Sequence, residues 1–216
     1  MKLMIFVFLG CLLSVVNCEN YTVTDEVWFD IEIRDFDGAG DDYRGRFVIG
    51  LFGDTVPMTA LNFASIANGY ERKKKKIQYK GTHFHRIVPD FVIQGGDTTH
   101  GDGQGGEAIF CPQFVDENFH LSHKAAGYVS MANHGPDTNG SQFFIILSKA
   151  RWLDKKHVVF GKVVNGMDVI RTIGTVETDE FSQPKKRVKI IDCGADEVKK
   201  YTLTEGQTLS DQDIER

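Results

Sequence analysis

The sequence predicts a mainly β protein, a closed eight-stranded antiparallel β-barrel capped by two α-helices. Three observations carry that prediction. Short segments of period-two alternation recur along the chain, two stretches carry helical spacing instead, and the connections are rich in Gly and Asp. About eight short strands with turn-rich connections and only two helices fit a sheet that closes on itself better than a layered α/β fold.

The elements follow in order. Residues 27–33, Val-Trp-Phe-Asp-Ile-Glu-Ile, place Val27, Phe29, Ile31 and Ile33 on one face and Asp30 and Glu32 on the other, the mark of a half-buried strand. The Asp- and Gly-rich residues 34–45 turn the chain, and 46–52 resume alternation with Phe47, Ile49 and Leu51, so the pair reads as a hairpin. Pro57 opens a helix, because a missing N–H needs no partner in the first turn. Leu61, Ala64 and Ser65 share one side of it and Phe63, Ile66 and Ala67 another, which suits a helix plugging a barrel end, and Gly69 ends it. Further strands are predicted at 82–88, 91–94, 127–132, 142–147 and 157–164, then a second helix at 166–173 with Met167, Ile170 and Ile173 in step, and a last strand at 187–193.

The ends suggest a compartment. Lys2 precedes an apolar run from Leu3 to Leu13, and Val16 and Cys18 occupy −3 and −1 of a cleavage site before Glu19. This is the pattern of a secretory signal peptide over residues 1–18, too short for a membrane span. Its removal would leave 198 residues (216 less 18), enough for one domain with a proper core. The expected division is a short extension over 19–26, the domain over 27–194 and a polar, acidic, partly disordered tail over 195–216. The terminal Asp213-Ile214-Glu215-Arg216 is not a KDEL-type signal, which favours secretion over retention in the endoplasmic reticulum lumen. Asn20-Tyr21-Thr22 is a glycosylation acceptor at an accessible end, whereas Asn139-Gly140-Ser141 precedes an apolar run and should be buried before it can be modified. Cys111 and Cys193 could pair in an oxidising compartment, but sequence does not give their separation.

A formal charge of −5 argues against nucleic acid as a general partner. Arg72-Lys73-Lys74-Lys75-Lys76 is the local exception; it reads as a solvated loop tip, the alternative being a patch for an acidic surface. The glycine-rich stretch from Gly95 to Gly106 lacks the Gly-Lys-Ser/Thr ending of a phosphate loop. His83 and His85 share a strand face and could chelate, but no third ligand stands at suitable spacing, so neither metal nor cofactor is expected.

Three polar residues interrupt otherwise barrel-like strands: Arg86, Gln94 and Gln142. Each alone could be a surface ion pair or a satisfied amide. They sit, however, within Phe84-His85-Arg86, Gln94-Gly95-Gly96-Asp97, Ser130-Met131-Ala132-Asn133, Thr138-Asn139-Gly140-Ser141-Gln142-Phe143-Phe144 and Trp152-Leu153-Asp154-Lys155-Lys156-His157-Val158-Val159-Phe160-Gly161. In series, these segments closely resemble the cyclophilin family, over about Val27 to Gly194. The signal peptide, the Gly101-Asp102-Gly103 loop and the Asp192-Cys193-Gly194 ending look most like its secretory branch.

The resemblance implies peptidyl-prolyl cis-trans isomerase activity, assisting protein folding in the secretory pathway. It implies Arg86 as the catalytic arginine, with Phe91 and Gln94 beside it. Phe91, Val92, Phe144, Leu153 and His157 would wall a proline pocket, and Gln94, Ala132, Asn133, Gln142 and Trp152 would contact the substrate backbone or rim the groove. The implied partners are proline-containing polypeptides and cyclosporin-type inhibitors, and the protein is expected to be a monomer. A proline-peptide-binding chaperone or scaffold module with incidental turnover would use the same pocket. Two positions depart from the family pattern. Val92 replaces the usual Met, and His134 stands where a small Ala is common, beside the groove for the residue before proline, where it could narrow the side pocket or point to solvent.

Overall fold

A computed structural model describes residues 21–203. The expected signal peptide and the Asn20 acceptor lie outside the described residues. The chain forms β1 (Tyr21–Ile33), β2 (Tyr43–Leu51), α1 (Pro57–Asn68), β3 (Tyr70–Arg72), β4 (Lys75–Ile77), β5 (His83–Phe84), β6 (Arg86–Val88), β7 (Val92–Gly95), β8 (Tyr128–Met131), β9 (Phe143–Ile146), a 3-10 turn (Arg151–Leu153), β10 (Val159–Asn165), α2 (Met167–Gly174) and β11 (Val188–Leu203). It is mainly β with two helices, and none of the described helices is long and apolar enough to cross a membrane.

The first hairpin forms as the alternation predicts. β1 and β2 pair antiparallel from Ile33↔Tyr43 to Asp25↔Leu51. Val27, Phe29, Ile31 and Ile33 are all fully buried, and Glu32 opposite them is held by Arg34 and Arg44. The core they enter is aromatic: Phe29 stacks on Phe47 at 5.1 Å, and Phe63, from α1, reaches Tyr79, Phe143 and Phe160 at 4.7–5.1 Å between centroids. Helix α1 thus inserts Phe63, Ile66 and Ala67 into the core, while Leu61 stays 55 % exposed, so the helix is less evenly buried than its composition suggests. No side chain of its own caps its start. The Glu117 carboxylate does so from a distant loop, accepting from the N–H groups of Met58 and Thr59, and an anion there also meets the positive end of the helix. Gly69 closes it in the left-handed region at φ 81°.

The main sheet runs β5-β11-β1-β2-β10-β8-β9-β7-β6, with β3 and β4 forming a separate hairpin. This is a linear order of nine strands among the described residues, where a closed ring of eight was expected. The reason lies at His85. The expected strand 82–88 divides there, β5 pairing with β11 and β6 with β7, so the two ends of the order are consecutive in the chain. No ladder joins them; one residue does.

The edges of the domain also differ from expectation. β11 does not stop near Gly194 but pairs with β1 from Ile33↔Val188 to Tyr21↔Leu203. Residues 21–26 of the expected extension and the first nine residues of the expected tail are therefore strand, with Tyr21, Val23 and Leu203 buried. Alternation is weak in 195–203 because a charged, twisted edge buries few side chains, and a pattern sought only in apolar residues misses it. Cys111 and Cys193 are both unpaired, and burial pushes the Cys193 thiol up to about 11.

Candidate active site

Strand register brings the site residues together. Arg86 on β6 lies opposite Gln94 on β7, Gln94 lies opposite Phe144 on β9, and Phe144 lies opposite Ser130 on β8. Directly opposed residues share a face, so Arg86, Gln94 and Phe144 form one row across three strands. Two residues along, Val92 is on the same face. The alternate positions Ile87, Ile93, Ile145 and Val129 point the other way and are fully buried in the core. The period that builds the core therefore also sets an arginine, an amide and an aromatic ring side by side on the opposite surface.

Loops complete the cleft. A cavity of about 130 Å³ is lined by Arg86, Phe91, Val92, Gln94, Ala132, Asn133, Phe144, Leu153 and His157. Nine of the sequence-predicted residues thus converge on one space. Trp152 lies at its edge, 59 % exposed, with its ring 5.6 Å from that of Phe91. Gln142 sits one step deeper. Its Oε1 accepts from Gln94 Nε2 at 3.0 Å and its Nε2 donates to the carbonyls of Gly103 and Gly105. Arg86 makes no ion pair with any described residue, so its guanidinium keeps its donors for the cleft.

The wall residues are held in place. His157 donates from Nδ1 to the Met131 carbonyl at 3.0 Å, and its ring meets Phe144 edge-on at 5.2 Å. Burial holds His157 below the usual histidine range, so at neutral pH it is an uncharged wall. Behind Phe144, and stacked on it at 5.9 Å, lies the fully buried His123. Asp154 receives His123 Nδ1 at 2.9 Å and Arg151 Nε at 2.6 Å, and Ser130 Oγ lies 3.1 Å from His123 Nε2. Ser130, His123 and Asp154 together have the residue types of a hydrolytic triad, but Ser130 and His123 have no exposed surface and no substrate could reach them. They brace Phe144 and the turn that carries Leu153.

The glycine-rich loop is organised by Asp97. Its carboxylate accepts from the N–H groups of Thr99, His100, Gly103 and Gly105, and these bonds hold it well below the usual carboxylate range despite burial. Gly105 is required there, since a Cβ would lie 1.9 Å from Thr99 Oγ1. Asp97, His100 and Asp102 approach one another closely enough to suggest a metal site. The Asp97 oxygens are saturated by the loop's own donors, which leaves no free lone pair for an ion. Sequence reasoning did not find the Asp97 cradle or the His123 brace. An Asp before a run of glycines was the visible signal for the first; for the second there was none, since its members lie seven to thirty-one residues apart.

Next to the cleft is a second cavity of about 150 Å³, which shares Gln94, Ala132 and Asn133 with it and adds Gln142, Glu107, Pro112, Gln113, His134 and Thr138. His134 lines this cavity and is exposed.

The chain is 47 % identical to peptidyl-prolyl cis-trans isomerase B of Saccharomyces cerevisiae over 182 residues, covering 84 % of each protein. It is 47 % identical to peptidyl-prolyl cis-trans isomerase CYP21-1 of Arabidopsis thaliana over 179 residues, 82 % of this chain and 77 % of that one. Against peptidyl-prolyl cis-trans isomerase D of Saccharomyces cerevisiae the identity is 43 % over 203 residues, 90 % and 86 %. The family described as cyclophilin type peptidyl-prolyl cis-trans isomerase/CLD matches residues 30–195. With the cleft assembled from the same segments that carry the sequence resemblance, the chain belongs to the cyclophilin-type peptidyl-prolyl cis-trans isomerase family.

Proposed function

We propose that this protein catalyses cis-trans rotation about X-Pro bonds, with Arg86 as the catalytic group. The observation that carries the reading is an unneutralised guanidinium at the rim of an apolar pocket walled by Phe91, Val92, Phe144, Leu153 and His157. X-Pro rotation is slow because resonance stiffens the C–N bond, with a barrier of roughly 20 kcal/mol. No covalent bond need form or break; the protein has only to bind the twisted amide better than either planar isomer. At the twisted geometry the prolyl nitrogen turns pyramidal and regains a lone pair. Arg86 donates to it and so disfavours resonance, while the apolar wall grips the ring and keeps out water that would weaken the interaction. Gln94, Gln142, Ala132 and Asn133 hold the flanking peptide, and Trp152 edges the groove.

Replacing Arg86 by Ala should lower kcat/KM by about a hundredfold or more, the equivalent of roughly 3 kcal/mol of transition-state stabilisation, with the fold intact. A proline-isomerisation assay on short peptides, with circular dichroism as the folding control, tests this. Near-normal turnover by the variant defeats the assignment.

The same groove is proposed to take proline-containing polypeptides and cyclosporin-type inhibitors. The expected signal over residues 1–18 supports a role in folding along the secretory pathway. The adjacency of β5 and β6 supports closure of the sheet into an eight-stranded barrel through His85, if the two are counted as one interrupted strand.

A further inference from the structure

Three cavities lie in series on this surface. The proline cleft shares Gln94, Ala132 and Asn133 with the second cavity. The second cavity shares Pro112 with a third, of about 460 Å³, lined by Arg72, Lys73, Lys75, Phe110, Cys111 and Pro112. Glu107 ties the last two together: it lines the second cavity and forms ion pairs with Arg72 and Lys75. The β3–β4 hairpin is thereby fixed against the substrate groove rather than left as a separate loop.

Charge says what the third cavity would take. Within a chain of formal charge −5, this hairpin carries five consecutive cations. Glu107 engages Arg72 and Lys75, and Glu71 stands opposite Lys76 in the hairpin register. Lys73 and Lys74, at the turn with φ of 50° and 66°, are exposed and have no carboxylate partner among the described residues. Beside them Phe110 is 44 % exposed. A cationic edge next to an apolar floor complements a peptide that alternates acidic and apolar side chains.

We propose that the β3–β4 hairpin and its cavity are a docking site for an acidic stretch of substrate polypeptide lying N-terminal to the isomerised proline. This rests on the isomerase reading and adds a substrate class to it. The proline occupies the Arg86 cleft, the preceding residues cross the second cavity, and the acidic stretch reaches Lys73 and Lys74.

The test is turnover of matched peptides containing Ala-Pro, with three Glu upstream, three Gln upstream, or three Glu downstream. Wild-type protein is expected to favour the upstream-Glu peptide over the Gln peptide by about fivefold in kcat/KM at low salt, the scale of a few exposed ion pairs. The preference should fall towards one between about 0.02 M and 0.5 M salt. In the charge-reversal variant Lys73→Glu/Lys74→Glu, the ratio, each peptide measured on the same variant, should drop to one or below. Equal wild-type rates on the upstream-Glu and Gln peptides overturn the docking site. So does an equal gain from downstream Glu, a preference that resists salt, or one that survives charge reversal. Absence of turnover on all three peptides by wild-type protein sinks the isomerase reading instead, so the two failures are distinguishable.

Discussion

At the residue scale, His134 is the candidate for tuning which residue is accepted before proline. It borders the cavity next to the proline cleft and is backed by Thr138, whose hydroxyl accepts from the His134 N–H at 2.9 Å. Trimming His134 to Ala should widen the site for the residue before proline and shift preferences across a panel of X-Pro peptides by about three- to tenfold, the scale on which a pocket discriminates by a methylene or two. Identical profiles for His134→Ala and wild type would defeat the idea. Arg86, Gln94 and Gln142 were visible as polar interruptions of apolar strands, although each alone fitted a surface ion pair or a satisfied amide and only the motifs around them, in series, pointed to a site. Asp97 was not, because its four backbone donors come from residues whose conformation is set only when the loop closes.

At the element scale, β11 is longer than sequence patterning suggested, and its second half seals the start of β1. Leu203 lies opposite Tyr21 in the register and both are buried, the Tyr21 ring packs on Phe52 at 5.2 Å, and Tyr201 donates to Glu26 at 2.6 Å. Truncation after Gly194 should therefore expose Tyr21 and Val23 and remove the buried Leu203. Losing that burial costs about 3–5 kcal/mol, the worth of two or so buried apolar side chains. Chemical denaturation of the truncated and full-length proteins checks this; an unchanged midpoint would show that the second half of β11 contributes nothing. The proline cleft lies on strands β6, β7 and β9, which have no ladder to this region, so isomerase activity under native conditions should be retained.

At the scale of the whole molecule, histidines set the response to mild acid. His83, His85, His123 and His157 all have pKa values lowered from 6.5, with burial the leading cause in each. The folded state therefore binds fewer protons than the unfolded one just below pH 6.5, and linkage makes stability fall as pH falls. The carboxylates with lowered values titrate below about 4.5 and do not act in this window. Thermal melts should give a level Tm from pH 8 to about 6.5 and a falling one from there to pH 5; a Tm that rises on acidification contradicts the buried neutral histidines. The β class, both helices and the first hairpin were legible in the chain, because alternation and the positions of proline and glycine are local signals, whereas the residues of the cleft were reached through contiguous motifs that resemble a known family. Tertiary structure alone decided where the strand at His85 breaks, how far β11 runs, that Glu117 caps α1, and that His123 braces Phe144. Each of those depends on which distant strand or loop offers a hydrogen-bond partner or a covering surface, and a linear chain carries that information only once it has folded.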